Sequence, residues 1–214
     1  MLVFPNWDRV SGMFARHGIR VSADALRAAE PKAKFAIDEA YQVASTTDAD
    51  RGGRYFNLVL DGAGVARSPD REAALADVYA YHMQHNLWEH VPDHVRPAIE
   101  ALRARGVRLA VASNANGVLQ RMFDRVGLTS YFDAVCDSCV EGIEKPDPRF
   151  FRIVLARCGG RPETAVHVGD LYHVDVEGAR AAGLHAVLLD PHDLYAGYAV
   201  ERIRSVAEVA EIIS

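Results

Sequence analysis

The sequence predicts an α/β protein in which a parallel-sheet core follows an all-helical segment. Up to about residue 90, apolar residues recur at helical spacing and no convincing strand is present. From residue 92, short apolar segments alternate with amphipathic helices, a pattern typical of βαβ units and a parallel sheet. We therefore divide the chain into a helical segment, residues 1–90, and an α/β core, residues 91–214.

Four helices are predicted in the first segment. Ser22 is suited as the N-cap of the second helix, because its hydroxyl can accept a hydrogen bond from the first turn. Glycine and polar residues predict turns at DADRGG (48–53) and GAGVARSPD (62–70). The predicted helical ranges are 8–18, 22–44, 54–60 and 70–85.

Strands and helices alternate through the second segment. Gly106 is a natural residue to follow the first helix, and Asp147 with Pro148 has the N-cap and first-turn chemistry of a helix start. Ser205 and Glu208 form a capping box for the last helix. Helices are predicted at 92–106, 117–127, 147–160, 174–183 and from 205, and strands at 107–113, 132–138, 165–170 and 185–190.

Composition excludes several classes of function. The 214 residues have a net charge of −5 with acids and bases well mixed, so no basic face for nucleic acid or an anionic membrane is expected. No apolar run approaches the ~20 residues of a membrane span, and MLVFPNWDRV lacks the features of a signal peptide. The 3 cysteines do not suggest a disulfide framework, so we expect a cytoplasmic protein.

The first polar cluster follows the predicted strand VRLAVAS. Ser113 and Asn114 stand between this strand and a helix. A hydroxyl and backbone N–H groups at a helix entrance suit a phosphate group. The same residues are also common N-caps, so the cluster by itself leaves ordinary capping open.

The second cluster is EGIEKPDPRFF, residues 141–151. Lys145 precedes a proline-capped helix, where its ammonium group could reach a bound anion. A solvated surface lysine is the alternative, because most lysines are exposed.

The third cluster is HVGDLYHVD, residues 167–175. Asp170 ends an apolar strand and Asp175 lies five residues further on. Two carboxylates at a strand end predict a site for Mg²⁺, a hard cation that prefers oxygen ligands. Capping and an ordinary acidic first turn are the alternative.

In their order along the chain, the three clusters resemble the haloacid dehalogenase superfamily. The resemblance implies that Ser113 and Lys145 are catalytic and bind phosphate together with Asn114, and that Asp170 and Asp175 hold Mg²⁺. It further implies a Rossmann-like parallel-sheet core with an inserted helical cap, as in phosphoglycolate-phosphatase-like members. The expected reaction is hydrolysis of a small phosphorylated metabolite through an aspartyl-phosphate.

One family motif has no match. Members of the superfamily have a first core strand that ends in an Asp nucleophile, and only LVF (2–4) resembles the tail of that motif. The first core strand and the nucleophile are therefore expected to be missing, which predicts an inactive and unstable chain or a groove filled by another segment. Asp61 in NLVLDGAG superficially resembles the nucleophile, but helical spacing around it favours a helix.

Two other functions remain open. A 2-haloacid dehalogenase would use the same fold without a metal, whereas the paired acids favour the Mg²⁺-dependent branch. A non-catalytic relative would bind phosphate or a partner. The pair Cys136 and Cys139 is expected to be inert, because a zinc site needs four ligands.

Overall fold

The computed structural model describes the backbone of residues 1–41 and 48–213 and the side chains of residues 1–39 and 52–213. The chain divides into two compact units. Pro5–His90 form one, here called the helical unit, and Met1–Phe4 with Val91–Ser214 form the other, here called the α/β unit. The predicted α/β class is confirmed, because helices and parallel strands together build the chain.

The helical unit contains α1 (Trp7–Arg16), α2 (Ala23–Tyr41), α3 (Asp48–Gly62) and α4 (Pro69–His85). Their inner faces bury a shared apolar core, with side chains exposed by 2% or less that include Trp7, Phe14, Leu26, Phe56, Val59, Leu60 and Val78. Burying one such side chain fully contributes about 1.5–3 kcal/mol to the free energy of folding. This burial stabilises the helical conformation of each segment over its other local conformations.

Ser22 caps α2 as predicted, because its hydroxyl accepts a hydrogen bond from the Ala25 N–H at 3.1 Å. The predicted end of this helix, residue 44, lies outside the described residues.

The prediction of a turn at DADRGG was wrong, because α3 begins at Asp48 and runs through both glycines. The hydroxyl of Tyr79 donates to the Gly52 carbonyl at 3.3 Å, a packing contact that the local sequence does not show. Asp61 also lies in α3, where it accepts hydrogen bonds from Arg67 at 3.0 Å and Arg71 at 2.6 Å. The helical interpretation of NLVLDGAG is therefore confirmed.

The α/β unit forms two parallel sheets. Strands β1 (Ala110–Ser113) and β2 (Ala134–Asp137) pair with each other. Strands β3 (Val166–Gly169), β4 (His185–Leu189) and β5 (Glu201–Ile203) form a second sheet in that order. The helices of the α/β unit are α5 (Val95–Ala104), α6 (Leu119–Arg125), α7 (Ser138–Glu141), α8 (Pro148–Cys158), α9 (Glu177–Ala181) and α10 (Val209–Ile212).

Two strand predictions needed correction. β1 is shorter than the predicted segment 107–113, and Val111 is the one buried residue within it. β5 was not predicted, because its three residues include two charged ones and show no apolar run. Asp147 caps α8 as predicted and accepts from the Arg149 N–H at 2.8 Å.

Parallel pairing brings the carboxyl ends of neighbouring strands to one edge of each sheet. Ser113 at the end of β1 lies opposite Asp137 at the end of β2. Gly169 at the end of β3 lies opposite Leu188 in β4. Ligands of open α/β sheets bind at this edge, so a functional site is expected there.

Among the described helices, none is long and apolar enough to cross a membrane.

Candidate active site

Asn114 and Lys145, which are far apart in sequence, are joined at the end of β1. The Asn114 side-chain amide donates to the Lys145 carbonyl at 3.0 Å, and its oxygen accepts from the Lys145 N–H at 2.8 Å. This double hydrogen bond fixes the backbone of the lysine against the residue that follows Ser113. The first and second sequence clusters therefore meet at one place.

Lys145 itself is 9% exposed and points to the third cluster. Its ammonium nitrogen Nζ lies 2.6 Å from Oδ1 of Asp175. A solvated lysine was the alternative from sequence, but this burial favours a role inside the α/β unit. The pair is also costly to break, because removing one partner leaves the other charge buried without its counter-charge.

Asp175 accepts hydrogen bonds on both carboxylate oxygens. Oδ1 contacts Lys145 and lies 3.0 Å from Nε2 of His167, and Oδ2 accepts from the N–H groups of Asp170 and Leu171, both at 3.1 Å. Asp175 therefore holds the chain where β3 ends and fixes the backbone of the other predicted metal ligand.

A short π-helix and a glycine make room for this carboxylate. Residues Tyr172–Val176 form the π-helix, and such insertions are frequent at functional sites. A Cβ atom on Gly169 would lie 2.2 Å from Cγ of Asp175, so only glycine fits beneath the carboxylate. The glycine before Asp170 in the third cluster is therefore required for steric reasons.

The charges around Asp175 keep it ionised. Burial alone would raise the pKa of this carboxyl, but Lys145 and His167 together hold the pKa well below its usual range. Burial lowers the pKa of His167 despite the neighbouring carboxylate, which favours the neutral imidazole. The site therefore contains a buried Lys–Asp ion pair with a histidine beside it.

Ser113 and Asp170 lie at the carboxyl edge, as the sequence placed them. Ser113 is half-buried, and its hydroxyl makes a long contact of 3.4 Å to the Asn114 carbonyl. Asp170 is half-buried directly after β3. The structure thus joins Asn114, Lys145, Asp175 and the backbone of Asp170 in one network, with Ser113 adjacent in sequence to it.

Asp170 and Asp175 both have carboxylate oxygens of the kind that bind Mg²⁺. Mg²⁺ commonly uses one or two carboxylates together with water and substrate phosphate oxygens. Both oxygens of Asp175 already accept hydrogen bonds, so this residue is suited to orient the site. Within residues 1–39 and 52–213, no group of three or more His, Cys, Asp or Glu side chains is arranged to hold a metal ion.

Sequence reasoning missed three residues at this edge. His167 stands two residues before Gly169 and so lies on the same face of β3, a signal that could have identified it. Asp137 is the last residue of β2 and Ser138 follows it directly, so both are polar residues at a strand end, the same signal that identified Asp170.

Comparison with known proteins identifies the family of the chain. A family model described as haloacid dehalogenase-like hydrolase matches residues 10–183. The chain is 37% identical over 142 residues to the ribulose-1,5-bisphosphate 5-phosphatase of Halopiger xanaduensis, covering 65% of this chain and 58% of that protein. It is 40% identical over 138 residues to the phosphoserine phosphatase of Thermus thermophilus, covering 64% and 53%. The chain thus spans a little over half the length of these curated relatives.

A solved structure has the same fold at low sequence identity. The HAD-hydrolase YfnB from Bacillus subtilis, in a crystal form bound to magnesium, aligns with a TM-score of 0.72 and 17% identity. The alignment covers 98% of this chain and 93% of that one.

Proposed function

Because this chain belongs to the haloacid dehalogenase-like hydrolase family, we propose that its α/β unit is the core of a Mg²⁺-dependent phosphatase for small phosphate monoesters. The observation that carries the proposal is the network from Asn114 through Lys145 to Asp175. It joins three sequence clusters that were each ambiguous alone. The names of two curated relatives, both phosphatases, support phosphate esters as the substrate class.

In this proposal Ser113, the Asn114 backbone and Lys145 bind the phosphoryl oxygens. Preorganised donors and a cation stabilise the charge that these oxygens develop in the transition state. Asp175 holds the ammonium group of Lys145 in place before substrate arrives. The buried pair therefore positions the cation without a reorganisation step.

Asp170 would hold Mg²⁺, with Asp175 fixing the Asp170 backbone. When bound, the ion would offset the negative charge of the phosphate group. The resemblance implies an aspartate nucleophile and an aspartyl-phosphate. Asp61 does not take that role in this proposal, because it is paired with two arginines in helix α3. The helical unit takes the substrate-selecting role of the cap.

Phosphate binding is the first test, because it is independent of the nucleophile. We expect inorganic phosphate to bind the chain, Mg²⁺ to tighten that binding, and Lys145→Ala to weaken it by about tenfold or more, the loss of a charged hydrogen bond. Lys32→Ala is the matched control, because Lys32 is exposed in the helical unit. Phosphate binding that is unaffected by Lys145→Ala would contradict the proposal.

A hydrolysis screen then separates the alternatives. Release of phosphate from small monoesters that EDTA abolishes supports the phosphatase. Halide release from a 2-haloacid that survives EDTA would instead favour the metal-free dehalogenase. Phosphate binding without turnover of either substrate class is the result expected of a non-catalytic relative and equally of a phosphatase core without its nucleophile.

A further inference from the structure

The end of strand β2 contacts the loop that follows Ser113. Asp137 is 5% exposed, and its Oδ2 accepts from the N–H groups of Gly117 at 2.9 Å and Leu119 at 3.2 Å. The neighbouring Ser138, also 5% exposed, accepts from the Ala115 N–H at 3.1 Å. Two consecutive side chains therefore accept hydrogen bonds from three N–H groups of the loop 113–119.

We infer that Asp137 and Ser138 are positioning residues that set the shape of the phosphate-binding loop 113–119. This inference rests on the proposed function, because it concerns how the same loop becomes competent to bind phosphate. Neither residue belongs to the set that the sequence analysis assigned to the site.

Asn114 is restrained on two sides. Its side chain is hydrogen-bonded to the Lys145 backbone, and the N–H group of the next residue, Ala115, donates to the Ser138 hydroxyl. With both sides fixed, the backbone of Asn114 has little freedom to turn. A backbone N–H that binds an anion is most effective when its direction is set before the anion arrives.

Asp137 continues this restraint along the loop. Its Oδ1 accepts from the Cys139 N–H at 2.9 Å, so the carboxylate is tied to its own strand end while Oδ2 holds Gly117 and Leu119. Gly117 has a φ of 84°, a conformation that costs other residues free energy, and the hydrogen bond from its N–H to Asp137 stabilises it. A charged acceptor forms stronger hydrogen bonds than a neutral one.

The opposite end of the same strand offers a matched control. Asp133 stands just before β2, and its Oδ2 accepts from the Leu109 N–H at 2.8 Å. Asp133 and Asp137 both hold backbone N–H groups across the same pair of strands. They differ in burial, because Asp133 is exposed, and in the end of β1 that they restrain, because Asp137 alone of the two contacts the loop after Ser113.

The experiment compares Asp137→Asn, Ser138→Ala and Asp133→Asn in the full chain. Inorganic phosphate is titrated into ¹⁵N-labelled protein, and amide hydrogen exchange is measured for residues 115, 117 and 119. We expect Asp137→Asn to raise the phosphate Kd by about tenfold, the scale of one charged hydrogen bond, and to speed exchange in the loop. Asp133→Asn should leave the phosphate Kd unchanged, even where it lowers the unfolding free energy equally.

Each outcome decides the inference. If Asp137→Asn does not fold, Ser138→Ala tests the same restraint at Ala115, and Ser138→Thr, which keeps the hydroxyl, should recover the phosphate affinity that Ser138→Ala loses. If the wild type binds phosphate and neither Asp137→Asn nor Ser138→Ala changes that affinity, the inference is overturned and the proposed function stands. Equal loss in Asp133→Asn also overturns it, because the effect is then general stability. A wild-type chain that binds no phosphate overturns the proposed function first.

Discussion

The ammonium nitrogen of Lys145 lies 2.6 Å from Oδ1 of Asp175, and both side chains are nearly inaccessible to solvent. Thirty residues separate the two along the chain. Their pairing connects the loop before α8 to the π-helix after β3, and these segments belong to the second and third clusters of the sequence. The stability of the α/β unit and its site are therefore coupled through one ion pair.

Removing one member of this pair should destabilise the protein strongly. Asp175→Asn leaves the Lys145 ammonium buried without its counter-charge, so we expect the unfolding free energy to fall by about 3–5 kcal/mol in urea denaturation. The double variant Lys145→Met/Asp175→Asn should recover part of that loss. Arg27→Ala is the control, because its ion pair with Asp24 is exposed on both sides, and it should change stability little. The single variant Lys145→Met completes the comparison. If the losses of Asp175→Asn and Lys145→Met simply added up in the double variant, the two residues would not be coupled.

Gly169 should tolerate no larger residue. The Cβ of Gly169→Ala would lie 2.2 Å from the Asp175 carboxyl carbon and must displace the carboxylate or the strand. We expect a loss of about 1–3 kcal/mol in thermal or urea unfolding, with weakened phosphate binding. Gly197→Ala is the matched control in the same unit, because nothing lies within 4 Å of its Cβ position. A variant Gly169→Ala with wild-type stability would show that the carboxylate moves freely.

Glu89 gives the helical unit a pH-dependent contribution to stability. Burial alone would raise the pKa of Glu89, but hydrogen bonds from Arg9, Tyr81 and Asn6 hold it below its usual value. A carboxyl with a lowered pKa stabilises the fold above its unfolded pKa of about 4.3 and loses that contribution as the pH falls below it.

The difference in unfolding free energy between wild type and Glu89→Gln should therefore be present at pH 7 and shrink as the pH falls from about 4.5 toward 3. Urea denaturation across this range measures it. Asp24→Asn is the control, because Asp24 is exposed and pairs only at the surface with Arg27. A difference that stays constant with pH would contradict the prediction.

The three thiols should react with iodoacetamide in the order of their exposure. Cys139 is exposed, Cys158 is half-buried and Cys136 is buried. Burial raises the pKa of Cys136 to about 11, so its thiolate is scarce at neutral pH. Mass spectrometry of peptides after timed alkylation at pH 8 should show Cys139 modified first and Cys136 last.

The same raised pKa has a consequence at alkaline pH. The protonated thiol is favoured in the folded state, so its contribution to stability is complete below the unfolded pKa of about 8.5 and is lost as the pH rises toward 11. The unfolding free energy of the wild type should therefore fall between pH 8 and pH 10.5. In Cys136→Ala this fall should be smaller. Early alkylation of Cys136 at pH 8 would contradict both expectations.

The sequence by itself determined the features that depend on near neighbours. Ser22 and Asp147 begin helices because a short polar side chain accepts a hydrogen bond from an N–H two or three residues away. The alternation of apolar segments and helices after residue 92 was enough to predict the parallel strands β1 to β4. The residues at the ends of β1 and β3 could also be predicted, because a strand end is a local feature.

Only the tertiary structure decided how those residues meet. The contact between Asn114 and Lys145 and the contact between Lys145 and Asp175 join segments about 30 residues apart, which no local pattern encodes. Packing also turned DADRGG into helix and gave Asp137 its place behind the loop after Ser113. Backbone propensity and capping act within a few residues, whereas the site depends on burial and charge pairing between distant segments.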